Sequence, residues 1–215
     1  DSTEAELEVK LGIVTYLLGE HESALRHSLN AIACFQRMSI PTRVGDIYCS
    51  IGYQMKRRDL TKANEYMRTG LKILEANPDS GGLEAGYNNY GVLKEMENNL
   101  DSAEHYYQLA YNFADARKDS IALPFSINHL AGIALMRKDF AKAKALFDQA
   151  YSIRLERNDQ SGILENLIFY GDLYRDSRQF NSAVSYYKEA IALSHSVGFP
   201  YMRQYSYEQL AICYE

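Results

Sequence analysis

Residues 91–110, GVLKEMENNLDSAEHYYQLA, and residues 171–190, GDLYRDSRQFNSAVSYYKEA, share one pattern: glycine first, a large apolar residue tenth, alanine thirteenth, tyrosine seventeenth and alanine twentieth. Working outward from the thirteenth place, the same frame recurs at Ala24, Ala63, Ala103, Ala143 and Ala183, spaced by 39, 40, 40 and 40 residues. Seven residues after these anchors stand Ala31, Gly70, Ala110, Ala150 and Ala190, all small. Twelve before them stand Gly12, Ile51, Gly91, Ala131 and Gly171, with Gly52 beside the one large exception. Bulk recurs too. His21, Leu60, Leu100, Phe140 and Phe180 precede the anchors by three, and Ser28, Met67, Tyr107, Phe147 and Tyr187 follow them by four. Small residues let two helix backbones approach closely, and large ones fill the space alongside, as an antiparallel pair of helices requires.

Helix punctuation keeps the same period. Asp79, Asp119 and Asp159 are placed as N-caps of the first helix of successive repeats, and Asp59, Asn99 and Asp139 as N-caps of the second. The four prolines, Pro41, Pro78, Pro124 and Pro200, fall at or near hairpin starts, where a missing N–H costs little. The pattern predicts first helices over 4–18, 42–57, 80–97, 120–137, 160–177 and 201–214, and second helices over 21–38, 60–76, 100–117, 140–157 and 180–197. No segment alternates with period two for long enough to form a strand, so the predicted fold is all-α. One domain over 1–215 is expected, with repeats at 4–40, 41–78, 79–118, 119–158 and 159–198 and the first helix of a sixth over 200–215.

Gly91, Leu100, Ala103, Tyr107 and Ala110, and likewise Gly171, Phe180, Ala183, Tyr187 and Ala190, resemble the tetratricopeptide repeat signature. The usual unit of that family is shorter, about 34 residues. The chain therefore resembles its long-helix members, found in kinesin light chains, cell-polarity adaptors and bacterial peptide-sensing regulators. The resemblance implies a right-handed α-solenoid of antiparallel helix hairpins. Leu210, Ala211 and Tyr214 continue the first-helix pattern, and a solenoid needs a polar cap on its last repeat. The expectation is that more chain follows, or that this helix pairs with a neighbour.

Composition narrows the function. Net charge is −5, and the lysines and arginines are scattered among acids, so this segment lacks the basic footprint that binds nucleic acid. No apolar stretch is long enough to span a bilayer, and membrane insertion is not expected. The start, Asp1-Ser2-Thr3-Glu4, has neither a Met nor a signal peptide and fits a fragment of a longer protein. Cys34, Cys49 and Cys213 form neither a disulfide framework nor a zinc motif. A cytoplasmic location is the simplest reading, with a cysteine-poor periplasmic domain also compatible.

Catalytic chemistry finds no foothold, so neither a catalytic nor a metal site is expected, and no cofactor. His21 and His27 are six apart, and zinc-binding histidines on one helix lie four apart. Gly81-Gly82 lacks the lysine and spacing of a phosphate loop and reads as a joint between hairpins. Tyr66, Tyr106 and Tyr186 sit at equivalent second-helix places and read as packing residues.

What remains is the face of the first helices, which in the family lines the concave groove. Carried over residue by residue, the resemblance implies contact positions at Tyr48, Asn88, Asn89, Met96, Asn128, His129, Met136, Phe169 and Arg175. Asn88 and Asn128 occupy equivalent places, and an amide offers both donor and acceptor to an extended peptide backbone. The competing reading is that these asparagines bond neighbouring helices. The early groove places hold Val9 and Ile13, so the lysine and asparagine clamp that grips acidic chaperone tails is absent. The expected function is protein or peptide binding by the scaffold or sensory part of a longer protein. The alternative is a structural module that self-associates through its C-terminal helix or convex face.

Overall fold

The computed structural model describes residues 1–78 and 82–215. Among the described residues are eleven α-helices and no strand: α1 (Ser2–Leu17), α2 (His21–Arg37), α3 (Pro41–Met55), α4 (Leu60–Glu75), α5 (Leu83–Met96), α6 (Leu100–Ala116), α7 (Leu123–Met136), α8 (Phe140–Glu156), α9 (Gln160–Asp176), α10 (Phe180–Val197) and α11 (Pro200–Tyr214). Each predicted helix is present, its ends within three residues of the expected ones. The Asp79 cap and the Gly81 part of the joint lie outside the described residues.

The chain divides into two compact units, Asp1–Phe113 and Ala114–Glu215. In the first, α1 pairs with α2 and α3 with α4, and α5 packs on both α3 and α4. In the second, α7 pairs with α8 and α9 with α10, and α11 packs on α10 and α9. The alanine anchors, and the alanines seven residues beyond them, are at most 1% exposed.

Close approach is what the small residues provide. A Cβ added at Gly91 would overlap the ring of Tyr107, and one at Gly171 the ring of Tyr187; both tyrosines are fully buried. In the second repeat the register slides by one: a Cβ on Gly52 would lie 2.8 Å from the Ala63 carbonyl, while Ile51 fills the core. The second-helix tyrosines pack as expected. Tyr66 stacks on Tyr48 at 6.1 Å, Tyr106 lies 4.5 Å from Tyr90, and Tyr186 lies 5.0 Å from Tyr170.

The connectors hold a regularity that periodicity did not reveal. Gly19, Ser39, Asn98, Lys118, Lys138, Asn158, Arg178 and Gly198 all have positive φ and stand about twenty residues apart or a multiple of that. At most of these points two backbone bonds close the helix. Asn99, Asp139, Asp159 and Gln179, for example, donate their N–H groups to the carbonyls of Lys94, Ala134, Arg154 and Tyr174 at 2.8–3.0 Å. The residue that makes this bond is also the N-cap of the next helix: Asp139 accepts from Lys142 N at 3.0 Å and Asp159 from Gly162 N at 2.9 Å.

Asp119 departs from the prediction. Its side chain accepts from Ile121 N and Ala122 N, capping a single turn, but α7 proper begins only at Leu123. Pro124 has no N–H to join that turn to the helix.

Gly171→Ala is expected to destabilise the second unit by about 1–3 kcal/mol through overpacking against Tyr187, although alanine is the better helix former. Urea denaturation of the variant beside the parent checks this.

Candidate functional site

In the first unit an open trough of about 480 Å³ runs between α3 and α5, lined by Arg43, Asp46, Ser50, Tyr53, Ala85 and Asn89. Gly86 lines it as well. Arg43 is committed elsewhere, gripping both oxygens of Glu6 on α1 at 2.7 and 2.8 Å, and stays 3.9 Å from Asp46. Burial raises the Asp46 carboxyl pKa, with Arg43 pulling the other way. Of the four predicted contacts in this unit, Asn89 lines the trough. Asn88 is buried and donates to Glu84, Tyr48 packs half-buried against Tyr66, and Met96 is exposed at the end of α5.

A second cavity in this unit, about 640 Å³, lies among α4, α5 and α6, with Arg68, Lys72, Tyr90, Lys94, Glu97 and Tyr106 in its wall. Most of its charge is already spent. Lys94 donates to Asn64 and Glu97, both at 2.8 Å, and Arg68 donates to the Tyr90 hydroxyl at 2.9 Å.

In the second unit one face of α7 is open. Phe125, His129, Gly132 and Met136 follow at i, i+4, i+7 and i+11, which is one face of a helix. Phe125 is 47% and Met136 52% exposed, and a Cβ on Gly132 would meet nothing within 4 Å. Asn128 sits beside this stripe, 6% exposed, its Oδ1 accepting from Asn166 Nδ2 at 3.3 Å. Asn166 in turn accepts at 2.7 Å from Arg154, an arginine only 1% exposed, which also donates to Glu165 at 2.6 Å.

The remaining predicted contacts serve packing. Phe169 stacks on the buried Phe147 at 5.3 Å. Arg175 is held by Asp172 at 3.0 Å and Asp176 at 2.8 Å and donates to Gln209 of α11. Asp172 also accepts from the Tyr187 and Tyr205 hydroxyls, at 2.6 and 3.0 Å. Burial still leaves its carboxyl pKa raised. These bonds tie α11 to α9 and α10.

Phe125, Gly132, Arg154 and Asn166 escaped the sequence reading, yet the repeat register holds a signal for Arg154. Eleven residues after the anchors stand Phe35, Leu74, Ala114, Arg154 and Ser194, all at most 1% exposed. An arginine in a core row must be paired by buried partners.

His27 bonds Glu8 at 2.7 Å, joining α1 to α2. Among the described residues no group of three or more His, Cys, Asp or Glu is placed to hold a metal ion, and no helix is long and apolar enough to cross a membrane.

Burial lowers the His129 imidazole pKa from 6.5 to about 4. The folded state thus holds the neutral ring. The stability this provides is complete above the unfolded value and is lost as pH falls through the window down to the folded one. His129→Gln should flatten that part of the stability curve, as read by urea denaturation at pH values across the window.

Residues 123–194 match the sequence model of the tetratricopeptide repeat family. No curated protein matches the chain in sequence. In structure the chain is similar to aspartyl phosphate phosphatase F from Bacillus subtilis, with 12% identity and a TM-score of 0.79 over 98% of this chain and 55% of that one. It is also similar to a signal transduction ATPase with a tetratricopeptide repeat sensor from Pyrococcus horikoshii, with 17% identity and a TM-score of 0.73 over 97% of this chain and 33% of that one. A third similar structure is the Rap conjugation gene regulator of plasmid pLS20 in complex with the Phr* peptide, with 15% identity and a TM-score of 0.71 over 100% of this chain and 62% of that one. The chain therefore spans between a third and just under two thirds of these proteins, and at such identities the likeness is one of fold. Residues 123–194 are tetratricopeptide repeats, and both units of the chain have the helical-hairpin fold of that family.

Proposed function

We propose that this chain is a protein-interaction module that holds a peptide or a partner helix along the open faces of its first helices, with the α7 face as the main contact. The observation that carries this is the stripe Phe125, His129, Gly132 and Met136: two large apolar side chains left half-exposed on either side of a gap, beside a buried amide. Exposed large apolar side chains grouped on one face and edged by polar groups mark where soluble proteins bind partners. Asn128 supplies the polar group that would orient a peptide backbone there. A protein of similar fold held in complex with a peptide supports the same reading. In the first unit the trough at Asp46, Ser50 and Asn89 offers a separate, more polar surface. On this reading the chain is the scaffold or sensory part of a longer cytoplasmic protein.

A second reading rests on other residues. Leu7, Val14, Leu17 and Leu18 of the N-terminal hairpin and Tyr207, Ile212 and Tyr214 of α11 are each more than half exposed, and could join copies of the chain. Light scattering across a dilution series separates the two, since self-association through α1 or α11 would raise the mass with concentration.

The test of the main reading is affinity capture with the parent chain, with Gly132→Arg and with Asn128→Ala, scored by mass spectrometry. Gly132→Arg fills the gap without touching the core, and replacing a helix-interior glycine should stabilise the fold by up to about 1 kcal/mol. It is expected to lose the partner outright. Asn128→Ala should weaken binding by about 1–3 kcal/mol. Recovery of identical partners by all three baits would remove α7 as the contact face.

A further inference from the structure

The cavity among α4, α5 and α6 is walled by three pairs of side chains, each spaced i, i+4 on its own helix and so on one face of it. Tyr90 and Lys94 of α5 are buried, while Arg68 and Lys72 of α4 are exposed and Ser102 and Tyr106 of α6 half-buried. The two acids of the wall are already engaged. Glu97 accepts from Asn64 at 2.7 Å and from Lys94 at 2.8 Å, and Glu75 accepts from the Tyr87 hydroxyl at 3.1 Å. The two cations of α4 are not. Arg68 is pinned through its Nε–H to the Tyr90 hydroxyl at 2.9 Å, which leaves both Nη groups without an acceptor among the described residues. Among the same residues Lys72 has no acid within reach, and the Ser102 and Tyr106 hydroxyls make no hydrogen bond.

The fourth repeat shows the same register with its charge balanced. Arg68 and Tyr90 stand 5 and 27 places after the anchor Ala63, and Asp148 and Tyr170 stand 5 and 27 places after Ala143. There too the tyrosine hydroxyl bonds the polar side chain, at 2.8 Å, but Lys144 closes on Asp148 at 2.8 Å and neutralises it. In the second repeat the place of Lys144 is taken by Asn64, which bonds Glu97 and leaves Arg68 uncompensated.

We infer that this cavity is an oxyanion site, taking the phosphoryl or carboxylate group of a side chain on a partner polypeptide. The free Nη groups of Arg68 form the planar fork that matches two oxygens of such a group, and Lys72 adds a point charge one turn along the same face. Ser102 and Tyr106 bring hydroxyl donors from α6. The bond from Arg68 to Tyr90 favours affinity, because an arginine already held in place gives up less rotamer freedom when its ligand arrives. A volume of about 640 Å³ admits a whole side chain, and the half-buried ring of Tyr106 offers a flat surface to its aliphatic stem. The site lies apart from α7, so it stands or falls separately from that contact face.

The test uses the whole chain labelled with ¹⁵N-arginine, reading the Nε–H signal of Arg68, which is identified by its loss in Arg68→Gln. The probes are phosphoserine, glutamate and glutamine, each capped as an N-acetyl N-methylamide and titrated at constant ionic strength. Phosphoserine and glutamate should shift the signal to saturation and glutamine should not; the tighter of the two names the natural group as phosphoryl or carboxylate. Lys72→Gln should weaken both anions by about threefold or more. Lys144→Gln, the same change of net charge placed in the second unit, should leave both affinities as they are. Each substituted side chain is exposed, so neither variant disturbs the core. Absence of a saturable shift, an equal response to glutamine, or equal weakening by Lys144→Gln would overturn the site.

Discussion

Two of the hairpins close only because one position in each carries nothing beyond a hydrogen. At Gly91 and Gly171 the partner helix comes near enough that a tyrosine ring occupies the space a Cβ would need. That contact also determines where the polar end of the tyrosine emerges. The Tyr107 hydroxyl reaches Glu95 and the Tyr187 hydroxyl reaches Asp172, both at 2.6 Å and both on the first helix of their hairpin. Core packing thereby places half-buried carboxyls on the first helices, each with its pKa raised by loss of solvent. The inner contact and the outer surface are two ends of the same side chain.

The open faces of the two units differ in chemistry although they descend from one pattern. In the second unit the charges are paired off, Arg154 with Glu165 and Arg175 with Asp172 and Asp176. What remains on α7 is largely apolar, with a single amide and a neutral imidazole. In the first unit Asp46, with Arg43 3.9 Å away, lines a trough together with Ser50, Ala85 and Asn89. A ligand in contact with either surface meets a different set of demands.

The helices and their core were legible because they rest on period and residue size, which a linear sequence records directly. Ala24, Ala63, Ala103, Ala143 and Ala183 could be placed without coordinates, and so could the packing role of Tyr66, Tyr106 and Tyr186. The candidate site was legible only in part. Asn128 stood out because Asn88 shares its register, but the residue that orients it, Asn166, lies 38 positions away. Nothing in local spacing ties the two. Phe169 and Arg175 were placed on the right helix, yet neighbours claimed them: Phe147 by stacking, Asp172 and Asp176 by charge. Gly132 looked like any helical glycine, since open space has no sequence signature.

The connectors bear on how such a chain can change over generations. In most three-residue links the residue that seals one helix also caps the next, so there is no slack to absorb an inserted residue. One extra residue would rotate the following helix by about 100° and carry its anchor alanine out of the contact. The period of 40 therefore acts as a reading frame for length variation: duplication or loss of a whole hairpin keeps every contact in phase, whereas slippage by a few positions puts all that follows out of step.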